Sequence, residues 1–130
     1  MTSRSTSTAS LLFVTLVLAV PPVRADDDPQ AAEGKARALF LEGKALVAGQ
    51  RWAEACVRFE QSLEHVPGIG TKYNLADCWE KLGRTASAQA LFLGVAADAR
   101  AAGDGAREQV ARERAAALEP RLVRLLVEVE

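Results

Sequence analysis

Cys56 and Cys78 have the sharpest chemical options in this chain, because an even pair of thiols can bridge wherever the compartment is oxidising. They lie far apart in sequence, unlike the C-x-x-C spacing of redox-active pairs. Two readings stand: a structural disulfide, or two small buried side chains that behave as hydrophobes. A bridge requires Cα atoms about 4.4 to 6.8 Å apart. His65 is the only histidine and falls near the end of an apolar-periodic segment, where a cation can meet exposed carbonyls, so it reads as a helix-end or surface residue. Without a second histidine, a metal would need Cys, Asp or Glu ligands at suitable spacing, and none is apparent. Glu60 and Glu64 are one helical turn apart within an ordinary charged face. Signatures of acyl transfer, phosphate gripping and zinc hydrolysis (G-x-S-x-G, G-x-x-x-x-G-K-[ST], H-E-x-x-H) do not occur, and Pro67-Gly68-Ile69-Gly70 lacks the lysine and serine that would hold a phosphate. The expectation is therefore no enzyme, no metal and no cofactor.

The elements that carry these residues follow from periodicity. From about Ala31 to Ala48, Ala36, Leu39, Phe40, Gly43, Leu46 and Val47 recur at steps of three and four, the spacing of one helical face. Gly49 breaks that helix, and from Trp52 a second holds Ala55, Cys56, Phe59, Ser62, Leu63 and Val66 before Pro67-Gly68 ends it. Thr71 offers a cap for a third helix with Tyr73, Leu75, Ala76, Trp79 and Leu82, and Thr85 for a fourth with Ala88, Leu91, Phe92 and Val95. Asp104, inside Gly103-Asp104-Gly105, can cap a fifth over 106–118. Plentiful alanine and few aromatic residues suit closely packed helices, so the fold class is all-α.

One offset joins the two helix pairs. Gly43 and Ala76, Leu46 and Trp79, Ala55 and Ala88, and Phe59 and Phe92 are each 33 positions apart, small matching small and large matching large. Such a fixed shift marks an internal repeat. Leu39-x2-Glu42-Gly43-x2-Leu46 with Ala55-x3-Phe59, Ser62 and Pro67, followed by Lys72-x2-Leu75-Ala76-x2-Trp79 with Ala88-x3-Phe92 and Val95, resembles the tetratricopeptide pattern of W-x2-L-G-x2-Y, A-x3-F, A and P. The likeness covers about Ala36 to Ala102. Glu42 and Lys72 depart from it, Gly49 comes one residue early in its turn, and the second copy has no closing proline. The resemblance implies antiparallel helix hairpins stacked as repeats over 36–67 and 69–102, with 106–118 as a capping helix. Small residues at the crossings, Gly43 with Ala55 and Ala76 with Ala88, permit close approach.

The resemblance also implies a function. In that family the first helix of each pair lines a concave groove, which puts Arg37, Phe40, Lys44, Tyr73, Asp77 and Lys81 forward as partner-binding residues for a peptide or another protein. The alternative is that Phe40 and Tyr73 belong to the core. A structural stalk or self-assembling homo-oligomer is the rival function, since two repeats fall below the three or so that stable stacking needs.

The ends of the chain bear on location. Arg4, the apolar run Leu11–Val20 and Val23-Arg24-Ala25 read as a cleaved secretory signal over 1–25, the run being only about ten residues against the roughly twenty of a membrane-spanning helix. An uncleaved anchor is the other reading. Cleavage would remove two arginines and no acid from the 16 basic and 17 acidic residues, leaving a mild negative charge that offers no footprint for nucleic acid. No later apolar run has membrane length, so no membrane insertion is expected after cleavage, and export to the periplasm of a Gram-negative cell is the expected destination, with secretion or association with the envelope as the alternatives. Residues 26–32 read as an acidic, flexible terminus before a helical domain over 33–118. In the tail, 120–130, Val123, Leu125, Val127 and Val129 alternate, which favours a strand, and the resemblance suggests that it begins a further β domain; extension of the last helix past Pro120 is the alternative.

Overall fold

The computed structural model describes residues 28–128, and the signal segment 1–25 lies outside them. Five helices follow in order: α1 (Pro29–Ala48), α2 (Trp52–His65), α3 (Ile69–Lys81), α4 (Thr85–Ala101) and α5 (Gly105–Glu128). Each packs chiefly against its neighbours in sequence. The described chain is all-α, as the periodicity predicts.

The start of α1 corrects the flexible terminus expected over 26–32 from residue 28 onward, while 26 and 27 lie outside the described residues. Asp28 is an N-cap whose side chain accepts a hydrogen bond from the Gln30 N–H at 3.0 Å, and Pro29 takes the first helical position. There the missing N–H costs nothing, and the fixed φ of proline is already helical. Asp104 caps α5 in a related way, accepting from the Arg107 N–H at 3.0 Å. The two threonines do not cap: α3 begins two residues before Thr71, after Gly68, and Thr85 is the first residue of α4.

Three turns share one hydrogen-bond pattern. Arg51 N–H donates to Leu46 and Gln50 N–H to Val47, each at 2.9 Å; Arg84 and Gly83 repeat this onto Trp79 and Glu80, and Asp104 and Gly103 onto Ala99 and Arg100. These paired bonds close a helix end only if one residue turns left-handed. Gly83 (φ 76°) and Gly103 (φ 75°) do so freely, whereas the first turn uses Gln50 at φ 58°. Gly49, one place too early, keeps φ at −85°. Gln50→Gly is therefore expected to raise stability by about 0.5–1 kcal/mol, since a side chain at positive φ is strained. Chemical denaturation would show this as a higher midpoint at constant slope.

The core is built at equivalent places in the two hairpins. Phe59 is fully buried and packs against Gly43, where an added Cβ would sit 2.6 Å from its Cε1 atom. Phe40 meets Phe59 with ring centroids 5.9 Å apart. Thirty-three positions on, Phe92 is buried in one cluster with Ala76 and Ala88, and Tyr73 meets its ring edge-on at 5.4 Å. Ser62, buried without an apolar side chain, donates to the Ala36 carbonyl at 2.8 Å and so ties α2 to α1. Ala111, Ala115 and Leu118 of α5 close the far side against α4 and α3.

The strand expected over 120–130 is not formed within the described residues. Through Pro120 and on to Glu128 the chain continues α5. A lone strand would leave a row of unpaired backbone groups, whereas a helix satisfies them internally. Two contacts carry the helix past the proline: Leu122 stays half-buried on the prolongation of the Ala115–Leu118 stripe, and Arg121 reaches Glu80 of α3 at 3.3 Å. The helical region thus exceeds 33–118 at both ends, and the capping helix is longer than 106–118.

Candidate functional site

The six residues expected to line one groove fall into several local settings. Arg37 is exposed and Phe40 half-buried on α1, and both line a hollow of about 260 Å³ with Ala36, Val66, Gly68 and Thr71. The uncapped start of α3 forms part of its wall. Lys44, one turn further along α1, donates to the Asn74 side-chain oxygen at 3.2 Å, while the Asn74 amide donates to the Gly70 carbonyl at 2.8 Å. That bridge joins α1 to α3. Lys81 stands over the Trp52 ring at 5.5 Å.

Tyr73 and Asp77 are already engaged from within the chain. Arg114 of α5 donates to the Tyr73 hydroxyl at 3.0 Å, to Asp77, and to Glu80 at 2.7 Å. Its guanidinium also lies 4.7 Å from the centre of the Phe92 ring, a cation–π distance. Partial burial works against the Arg114 charge, but its hydrogen bonds to Asp77 and Glu80 outweigh that and raise its pKa above the ordinary arginine value. Arg114 thus stays cationic at any pH the fold survives.

This planar fork on two carboxylates, a phenol and a ring locks α5 across α3. Arg114→Ala should lower stability by about 1–2 kcal/mol, less than for a fully buried network because a third of the side chain meets solvent. The loss should shrink in high salt, as thermal unfolding would show. Periodicity alone passes over Arg114. The available signal was its place beside Ala115 on the inner stripe of α5, where an apolar residue would be ordinary.

Cys56 of α2 and Cys78 of α3 form a disulfide, with Cα atoms 5.6 Å apart and both residues buried. Of the two readings open in the sequence, the bridge is the one found. It couples the first hairpin to the second, within a cluster completed by Ala55, Phe59 and Leu75. Trp79 borders the same cluster, donates its indole N–H to Glu60 at 3.2 Å and is stacked by Arg84 at 4.4 Å. His65 is exposed in the last turn of α2, and Pro67 is exposed in the connection that follows. Among the described residues no three His, Cys, Asp or Glu side chains converge as metal ligands, and no helix is long and apolar enough to cross a membrane. The chain matches no known family model, no curated protein and no solved structure.

Proposed function

We propose that this chain is an exported helical-repeat module of tetratricopeptide type, and that it binds an extended peptide or partner protein along α1 and α3. The observation that carries this reading is the open face of α1. There exposed Arg37, with no ionic partner among the described residues, stands beside half-buried Phe40 at the mouth of an apolar hollow. An apolar surface with a polar rim is what a partner's side chain can bury against. The matching Gly43–Phe59–Phe40 and Ala76–Phe92–Tyr73 groupings, 33 positions apart, support the repeat. Because Arg114 takes up Tyr73 and Asp77, the groove is assigned to its α1 side, with Arg37, Phe40 and Lys44 as the principal contacts.

Export to the periplasm rests on the reading of 1–25 and fits a buried disulfide, which persists in oxidising compartments. The role is binding rather than catalysis. Crosslinking in the cell envelope, followed by recovery of the chain, tests the proposal. The native chain should bring down a partner, and Arg37→Glu, at an exposed position, should cut that recovery at least about tenfold, a change of roughly 1.4 kcal/mol. Equal recovery by the variant would count against the α1 face, and a chain found only in the cytoplasm would count against export. A stalk or self-assembly role is the second reading, and it draws on the exposed apolar end of α5.

A further inference from the structure

Neither cysteine of the Cys56–Cys78 bridge meets solvent to any useful extent: Cys56 is 4% exposed and Cys78 0%. Ala55, Phe59 and Leu75 are buried in the same cluster, and Trp52 and Trp79 pack against it from its edge. Cys78 Sγ also lies 2.9 Å from the Trp52 carbonyl oxygen. Thiol–disulfide exchange is the attack of a thiolate on a disulfide sulfur, so it needs a path to that sulfur and a charged nucleophile. With the helices docked, both are missing. An incoming sulfur is shut out by the cluster, and apolar surroundings disfavour the thiolate at either cysteine once the bond is cut. The bond is therefore made and broken in a form of the chain whose α2 and α3 stand apart.

We infer that the bridge is installed by exchange with a disulfide donor before α3 docks on α2, and that docking then shields it from thiols. One chain cysteine, as a thiolate, attacks a sulfur of the donor's disulfide, forming a mixed disulfide and releasing the donor's other sulfur. The second chain cysteine attacks the chain sulfur of that mixed disulfide, closes the Cys56–Cys78 bond and expels the donor's remaining sulfur. The two cysteines are oxidised, the donor's disulfide is reduced to two thiols, and the protons of the chain's two thiols end on them. Reduction retraces these steps with a dithiol as attacker and needs the same opening. That opening has a place in the fold, because α2 meets α3 through the least extensive of the four junctions between successive helices. A thiol pool thus cuts the bond only at the pace at which these two helices part. The inference is independent of peptide binding along α1 and α3.

Reduction of the native bridge by dithiothreitol, followed by alkylation and mass measurement, tests the shielding. In buffer it should run at least about a hundredfold slower than in urea that unfolds the chain. Leu75→Ala, which thins the cover at the α2–α3 junction, should speed the reaction in buffer at least about tenfold while circular dichroism shows the helices intact. Should that variant fail to fold, the native chain's own two rates decide. A second arm tests the order of events. Oxidised glutathione present as the reduced chain is diluted from urea should close the bridge at least about tenfold faster than the same reagent added once the helices have re-formed. Repeating this arm with an oxidant protein bearing a C-x-x-C disulfide separates a protein donor from a small one, by which of them closes the bridge at the lower concentration. Equal reduction rates in buffer and urea would overturn the shielding, and equal closure before and after refolding would overturn the order. A folded Leu75→Ala chain that reacts no faster than the native one would overturn the junction as the place of opening.

Discussion

Phe59→Ala is expected to lower the unfolding free energy by about 3–5 kcal/mol, a large share of the roughly 5–15 kcal/mol available to a domain of this size. The size of the effect follows from the ring's position. Phe59 is completely buried, meets Phe40, joins Ala55, Leu75 and the disulfide in one cluster, and fills the space left by the missing side chain of Gly43. Removing it leaves a cavity bounded by Gly43, Phe40, Ala55, Leu75 and the disulfide, which the surrounding helices can fill only in part. Urea denaturation should show a much lower midpoint with an unchanged slope, and a loss below about 1 kcal/mol would contradict the packing described here. The reverse change, Gly43→Ala, meets the same ring from the other side and should also destabilise.

Loss of the Cys56–Cys78 bridge is the second large effect. The cross-link joins positions separated by 22 residues, and closing a loop of that length in the unfolded chain stabilises the native state by about 3 kcal/mol. A reductant should therefore lower the denaturation midpoint of the native chain markedly. A double Cys56→Ala, Cys78→Ala chain should start lower and ignore the reductant. Equal midpoints with and without reductant would show that the bond is absent in solution or contributes nothing.

The helices were legible because their apolar residues recur at a single period, and the two turns containing Gly83 and Gly103 because only glycine relaxes at positive φ. The aromatic contacts left a trace in composition for a related reason: small residues must face large rings, as Gly43 does Phe59 and Ala76 does Phe92. What periodicity could not supply was the identity of residues acting alone. Gln50 takes the left-handed position because the turn's hydrogen bonds require it there, against its own preference. The alternating valines of the tail suggested a strand, but alternation matters only when a neighbouring strand exists to pair with. Asp28-Pro29 is a helix start that composition obscures, because it falls within the acidic stretch expected over 26–32 as a flexible terminus. The groove was the least legible part. Which charged residues face outward depends on where α5 lies, and Arg114 claims two of the six candidates.

The bridge between Cys56 and Cys78 lies where α2 meets α3, the least extensively packed of the four junctions between successive helices. Helices that pack chiefly on their neighbours in sequence tend to part at the weakest junction, one segment melting while the rest holds. Here that joint is riveted, so a tug on either end of the chain cannot peel one half away from the other. Slow amide exchange in α2 and α3 should consequently rise and fall together, and a thiol-rich environment would turn one mechanical body into two.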